Sequence, residues 1–254
     1  MNFVKPALVF ALGLLVLWLA AQTGAYLRRR RRNLDEPERE DLGVIVAAAL
    51  TLLGLIIGFS FSMSVTRYDQ RKNYEAEEAN AIGKEYVRAD LLRTDDATKV
   101  REYLRNYLDL RISFYMARNA RELEQINVST AHVQADLWST VQAAAAAQPT
   151  PVMALAVSGM NDVLDSEGYT QAAWWNQIPT AAWGLMVAVA IGCNLLVGYN
   201  AQRPLEERTR EFVILPLIVS TAFVLIAEMD TPRGGFIRVH PLNLQRLSRS
   251  LRAP

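Results

Sequence analysis

Residues 42–65, LGVIVAAALTLLGLIIGFSFSMSV, carry no charge from end to end. As a helix rising 1.5 Å per residue this stretch extends about 36 Å, more than the roughly 30 Å of a bilayer's hydrocarbon core. It lacks the alternation of a barrel strand, and in lipid only helices and closed barrels satisfy every backbone group internally. The stretch reads as a transmembrane helix. Runs of spanning length also occur from Phe3 to Leu27, Pro179 to Tyr199 and Phe212 to Met229. The expected fold is all-α, with four transmembrane helices and a helical soluble domain inserted between the second and third. Its expected parts are a first transmembrane pair at 1–66, a helical extramembrane domain at 67–178, a second pair at 179–229 and a C-terminal tail at 230–254.

Composition alone does not decide the class. Of 254 residues 51% are hydrophobic, but they concentrate near the two ends of the chain, while charged residues fill the middle and the short connections. A net charge of +1 gives no reason to expect nucleic acid as a partner. The Arg clusters sit beside apolar runs, where the lipid bilayer is the natural partner. The single cysteine, Cys193, lies within an apolar run and can form no intrachain disulfide. The first apolar run is long and is followed at once by Arg28 to Arg32, which reads as a stop-transfer anchor rather than a cleaved signal peptide.

In the middle of the chain the second membrane helix is expected to continue through Arg67 toward Leu92, since no proline stops it. Thr94-Asp95-Asp96 offers an N-cap for a helix whose apolar face is Val100, Tyr103, Leu104, Tyr107 and Leu108. A third helix is expected from Arg121 to Ala147, ahead of Pro149 and Pro151, and a fourth from about Val152 to Leu164, closed by Gly168. Glu75, Glu77, Glu78, Glu85 and Asp90 alternate with Lys84, Arg88 and Arg93, the pattern of a solvated, salt-bridged helix face. In the fourth membrane segment, Pro216 falls in the first turn, where its missing donor costs little.

No catalytic constellation is legible, so no enzyme activity and no cofactor are expected. His132 and His240 are too far apart in sequence to suggest a metal site, and there is no Gly-rich phosphate loop, Ser elbow or CxxC. Small residues recur at helical spacing, as Gly54, Gly58 and Ser62 in the second membrane helix and as Gly184, Ala188 and Gly192 in the third. That pattern allows close helix approach in lipid, within the bundle or between subunits. Two membrane-end charges stand out, Glu228 in the last turn of the fourth helix and Arg67 past the second. An ionisable group there suggests function by default, unless Glu228 snorkels to the interface or is captured by Arg67 at a matching depth. The hydroxyls of Ser60, Ser62 and Ser64 soften the end of helix two, unless each is satisfied by the carbonyl four residues earlier.

Gly58-Phe59, five residues, then Val65-Thr66-Arg67-Tyr68 is similar to the end of the second membrane helix in bestrophin anion channels. Ala227-Glu228, followed by Pro232 and Gly234, resembles the end of their fourth. Closer still is a likeness to bacterial bestrophin-like membrane proteins, carried by Glu77-Glu78-Ala79-Asn80-Ala81-Ile82-Gly83, Arg88-Ala89-Asp90-Leu91-Leu92 and Glu228-Met229-Asp230-Thr231-Pro232. It runs from about 42 to 243.

The resemblance implies a homo-oligomer, pentameric in bestrophins, that conducts inorganic anions across the bacterial inner membrane. The apolar neck of bestrophins would fall on Thr51, Leu55 and Phe59, with Ser62 also pore-lining. Thr51 departs from the apolar pattern. The acidic cluster that binds calcium in animal bestrophins is replaced by Arg233, Gly234, Gly235 and Arg238, so calcium gating is not expected. The alternative function is a non-conducting membrane protein whose helical domain senses or docks a partner.

Orientation is in conflict. Arg28 to Arg32, Arg39, Arg203, Arg208 and Arg210 make both short loops basic, which favours loops in the cytoplasm and the central domain outside it. Bestrophins have the opposite arrangement. Lys5, Arg67, Arg71, Lys72, Lys84, Arg233, Arg238, Arg246 and Arg249 balance the other side; the flanks of the first helix tip the reading toward basic loops inside.

Overall fold

The computed structural model describes residues 6–30, 36–201, 211–233 and 235–252. Phe3, Lys5, Arg31, Arg32, Arg203, Arg208, Arg210 and Gly234 lie outside the described residues. The helices are α1 (Pro6–Arg30), α2 (Glu36–Arg88), α3 (Thr94–Met116), α4 (Ala120–Ala147), α5 (Pro151–Trp175), α6 (Thr180–Tyr199), α7 (Glu211–Asp230) and α8 (Leu242–Arg252), with a 3-10 turn at Ala89–Leu91. There is no strand among the described residues, and the all-α expectation holds. Four helical stretches are long and apolar enough to cross a membrane: Pro6–Arg30, Pro37–Leu91, Pro151–Tyr199 and Phe212–Asp230. The chain divides into two compact units, one of Tyr68–Asn176 with Val239 onward, the other of residues up to Arg67 with Gln177–Arg238.

In the second of these, α1, α6, α7 and the first half of α2 share a core of Leu17, Leu53, Met186, Ala190, Cys193, Val219 and Phe223. Two glycines set its closest crossing. A Cβ on Gly24 of α1 would lie 2.0 Å from the Leu195 carbonyl oxygen, and one on Gly198 of α6 would lie 1.9 Å from that of Ala21. The helices touch backbone to backbone there, the close approach that small residues allow in lipid. The stretch Ala20-Ala21-Gln22-Thr23-Gly24-Ala25 exists for this contact: Ala20, Ala21, Gly24 and Ala25 are all buried. Pro216 lies in the second turn of α7 rather than the first, because the helix begins at Glu211.

The other unit packs α3, α4, α5 and α8 around the second half of α2. Ile82, Val100, Leu104, Tyr107, Leu137, Val141, Ala156, Met160, Val163 and Leu244 form its sealed core. Local chemistry explains most helix ends. Asn119 caps α4 by accepting from Glu122 N at 2.8 Å, and the Glu122 carboxylate accepts from Arg118 N, one residue before the cap, at 2.8 Å. Thr150 caps α5 by accepting from Met153 N at 3.2 Å, with Pro151 as the first helical residue. Two expectations are corrected. The residue before α3 is Arg93, which makes no side-chain cap; Asp95 and Asp96 instead sit in the first turn, where the helix dipole favours them. Gly168 does not close α5, which runs on to Trp175. The glycine costs about 1 kcal/mol in a helix interior. Burial of Met160, Val163, Thr170, Ala173 and Trp174 along one face outweighs it.

Candidate functional site

The first half of α2 is buried on one side only. Val46, Leu53 and Ser64 face inward, and Cys193 donates to the Ala49 carbonyl at 3.3 Å. Across the helix Thr51, Leu55, Phe59 and Ser62 are all exposed, Phe59 by 70%. At about 100° per residue these four fall within an arc of roughly 80°, so one strip of the helix presents them all. Gly54 and Gly58 border that strip, and a Cβ on either would meet no described atom within 4 Å. The same is true of Gly184 and Gly192 on α6, where Ala188 is exposed. Within the chain, then, close helix packing falls on Gly24 and Gly198, and the small residues of α2 and the start of α6 stay open.

Several hydroxyls of this half of α2, Thr51 of the strip among them, are bonded along the helix. Thr51 donates to the Ala47 carbonyl at 2.9 Å, Thr66 to Ser62 at 3.0 Å and Ser64 to Ser60 at 3.0 Å. With its hydroxyl proton given to its own helix, Thr51 has no donor left to point outward and keeps only its acceptor lone pairs.

At the end of this segment Arg67 does not capture Glu228, one of the two bland readings of that carboxylate. Arg67 pairs with Asp230 at 3.1 Å, and both oxygens of Asp230 also accept from Ile178 N at 3.0 Å. One carboxylate thereby ties α2, the approach to α6 and the end of α7 together. Glu228 points elsewhere: it accepts from Phe236 N at 2.5 Å and Ile237 N at 3.3 Å, folding the chain back after α7. Gly235 makes this possible, since its φ of 102° and the carboxylate pressed against its Cα exclude a side chain. The segments 65–67 and 228–232 are thus brought together, through Asp230.

The acidic run of the helical unit is the largest departure from expectation. Glu75, Glu78 and Glu85 are buried, not solvated, and Arg71 with them. Arg71, Glu75 and Glu78 each have a specific task. Arg71 donates to the carbonyls of Ala173 at 3.1 Å and Asn176 at 3.3 Å, closing the end of α5. Glu75 accepts from Asn243 N at 2.8 Å and Leu244 N at 3.0 Å, capping α8 from a distant helix. Glu78 binds Arg111 in a fully buried pair, joined by Thr170 at 3.2 Å, Tyr115 at 3.4 Å and, through Arg111, Glu167 at 3.5 Å. Desolvation pushes the Glu78 carboxyl up, against the pull of Arg111. For Arg111, burial works to lower it, but the neighbouring carboxylate prevails and keeps it cationic. Glu85 differs, because neither oxygen has a hydrogen-bond partner and its nearest cation, Arg88, stands 3.8 Å away. Burial pushes its carboxyl up to about 8, with Arg88 opposing and Asp162 assisting. Glu77 and Asp90 remain exposed.

Among the described residues no group of three or more His, Cys, Asp or Glu side chains could hold a metal ion. Four apolar helices around one core define a multi-pass helical membrane protein. The chain belongs to the Bestrophin-like family, whose domain model matches residues 7–244. Its fold resembles a bacterial bestrophin homologue from Klebsiella pneumoniae, at 15% identity and a TM-score of 0.67 over 97% of both chains. A form of that homologue with one tryptophan replaced by alanine gives 15%, 0.67 and 95% of both chains. A structure described as a membrane protein, with one glycine replaced by alanine, gives 13%, 0.68 and 97% of both. No curated protein matches the sequence.

Proposed function

We propose that this chain is the subunit of an oligomeric channel for inorganic anions in the bacterial inner membrane, with α2 lining the ion path. The observation that carries this reading is the open strip of α2. A helix inside a self-contained bundle buries its small residues, whereas here a Cβ on Gly54 or Gly58 would meet no atom of the described residues within 4 Å. Family membership favours an assembly in which copies of α2 surround an axis, five copies in the bestrophin pattern. In that assembly Gly54 and Gly58 seat the neighbouring helix, Leu55 and Phe59 form apolar rings, and Thr51 and Ser62 flank them. Gly184, Ala188 and Gly192 give α6 a second open seat. The unit built on residues 68–176, which lies in sequence between the two membrane pairs, then stands outside the bilayer. An apolar constriction resists wetting, and smaller side chains ease it.

Chloride flux into reconstituted liposomes tests this. Phe59→Ala and Leu55→Ala are expected to raise flux. Phe61→Ala, about 200° around the helix from Phe59, is expected to leave it near the parent's. Native mass spectrometry is expected to give a closed oligomer. If neither parent nor Phe59→Ala passes ions above empty liposomes, the channel is refuted.

A further inference from the structure

A second feature of the helical unit has no part in that reading. Asn80, Lys84 and Arg88 follow one another at four-residue spacing on α2, and Asn243, Arg246 and Ser250 at three- and four-residue spacing on α8. Spaced this way, each set shares one face of its helix. The two faces line a single groove of about 740 Å³, floored by Gly83 and Leu247. At that floor the helices are close: a Cβ on Gly83 would already lie 3.2 Å from a Leu247 methyl.

The groove is rigidly built. Glu75 grips the first turn of α8, accepting from Asn243 N and Leu244 N and, at 2.6 Å, from the Asn243 side-chain amide. Leu244 is fully buried, and Arg252 at the far end pairs with Asp109 of α3. Helix α8 is therefore held at both ends and along its middle.

Its charge is one-sided. Lys84, Arg88 and Arg246 are cations, and no acidic side chain lines the groove. Arg88 reaches Glu85 and Asp162 only at 3.8 Å each. Lys84 and Arg246 are exposed, with no ion pair among the described residues. Glu75, the nearest acid on α2 to the start of α8, is spent on the cap. Like charges gathered on fixed helices repel one another, and a bound anion relieves that repulsion.

We propose that this groove binds a small phosphate-bearing anion. Lys84 and Arg246, neither in an ion pair among the described residues, match the charge of a phosphate dianion, although Lys84 and Arg88 also border a neighbouring cavity lined by Glu77, Asp162 and Asp165. The guanidinium forks of Arg88 and Arg246 suit its oxygens. The amides of Asn80 and Asn243 and the Ser250 hydroxyl supply neutral polar contacts around it. The volume lies within the range of small-molecule sites. Such a phosphate can come from a soluble compound or from a lipid headgroup. The proposal is independent of the channel reading, and either can fail without the other.

The test uses the full chain in phosphatidylcholine nanodiscs, titrated with inorganic pyrophosphate by calorimetry. Saturable binding is expected, weakened at least about tenfold by Lys84→Gln or by Arg246→Gln, as for loss of one charged hydrogen bond. Arg249→Gln, on α8 but outside the groove, is expected to bind like the parent. Arg246→Lys keeps the charge but not the fork and is expected to bind between the parent and Arg246→Gln, which separates loss of the cation from loss of fold. Repeating the titration with phosphatidic acid in the nanodisc distinguishes the sources: weakened pyrophosphate binding assigns the site to a lipid headgroup, unchanged binding to a soluble anion. Absence of saturable binding in phosphatidylcholine, or an Arg249→Gln loss equal to that of Arg246→Gln, overturns the proposal.

Discussion

Replacing Gly198 by alanine adds one methyl group, and the structure says where it must go. Its Cβ would lie 1.9 Å from the Ala21 carbonyl oxygen, against 3.4 Å for the start of ordinary van der Waals contact. The obstacle is backbone, so no rotamer relieves it, and α1 and α6 must part by about 1.5 Å along their crossing. The same separation loosens the packing of Ala21, Ala25 and Phe212 behind it. Overpacking of this kind typically costs about 1–3 kcal/mol, and a backbone clash belongs at the upper end. Gly58→Ala makes the same chemical change where the new methyl meets nothing within 4 Å. In an isolated subunit Gly58→Ala should be neutral, or slightly stabilising through helix propensity.

The assay is thermal unfolding of the purified protein in detergent, followed by tryptophan fluorescence, alongside oligomer size. Gly198→Ala is expected to melt well below the parent. Gly58→Ala is expected to keep the subunit's stability, and Gly58→Leu to disturb assembly more than Leu55→Ala does. Equal melting losses for Gly198→Ala and Gly58→Ala in a monomeric state would refute the division between inner and outer glycine faces. Loss of assembly with neither Gly58 variant would refute the seat on α2.

Glu85→Gln should change how stability depends on pH. The folded carboxyl holds its proton up to about 8 while the unfolded one releases it near 4.5, so the parent loses stability as pH rises through that window. The glutamine variant lacks this slope, so denaturant midpoints compared at pH 5 and pH 8.5 should favour it more at the higher pH; equal slopes would remove Glu85 from the account. Arg111→Leu should cost about 3–5 kcal/mol by stranding the buried Glu78, and the double change Arg111→Leu with Glu78→Leu should recover much of that. A double variant as unstable as the single one would mean that packing, not charge, sets the loss. Asp230→Asn should lower the melting temperature by weakening its hold on Arg67 and Ile178 N, while Glu228→Gln should act on the turn at Gly235 instead. Matching proteolysis patterns for the two variants would contradict those separate roles.

The membrane helices were legible because spanning a bilayer is a property of one segment: length, apolarity and absence of charge are all local. The strip of Thr51, Leu55, Phe59 and Ser62 was legible as a strip for the same reason, since helical periodicity fixes which residues share a face. Which face turns inward was not. Gly54 and Gly58 on α2 carry the same small-residue signal as Ala20, Ala21, Gly24 and Ala25 on α1, yet of the two sets only the α1 set meets a partner among the described residues. The α1 signal lay in plain view, but small residues near a first apolar run also resemble a cleavage site. Helix α8 could have been found from Leu244, Leu247 and Leu251 at three- and four-residue spacing.

Misreading the acidic run has a deeper physical origin. A charged residue in a helix is assigned to solvent because burying it costs several kcal/mol unless a partner neutralises it. Glu78 has its partner 33 residues away in Arg111, and Glu75 has its partners in backbone amides near residue 243. The i,i+3 and i,i+4 rules see neither, because they look only along one helix. Glu85 shows the limit of that local view from the other side. Its one neighbour at helical spacing, Arg88, is the pair the sequence suggests, and it stands 3.8 Å away without forming a hydrogen bond. The local pair is the weak one and the distant pairs are strong. Those distant pairs fasten α3, α5 and α8 to the continuation of α2, the same helix whose first half bears the open strip. Charges that look like a solvated surface are thus what fixes the rotation of α2's second half.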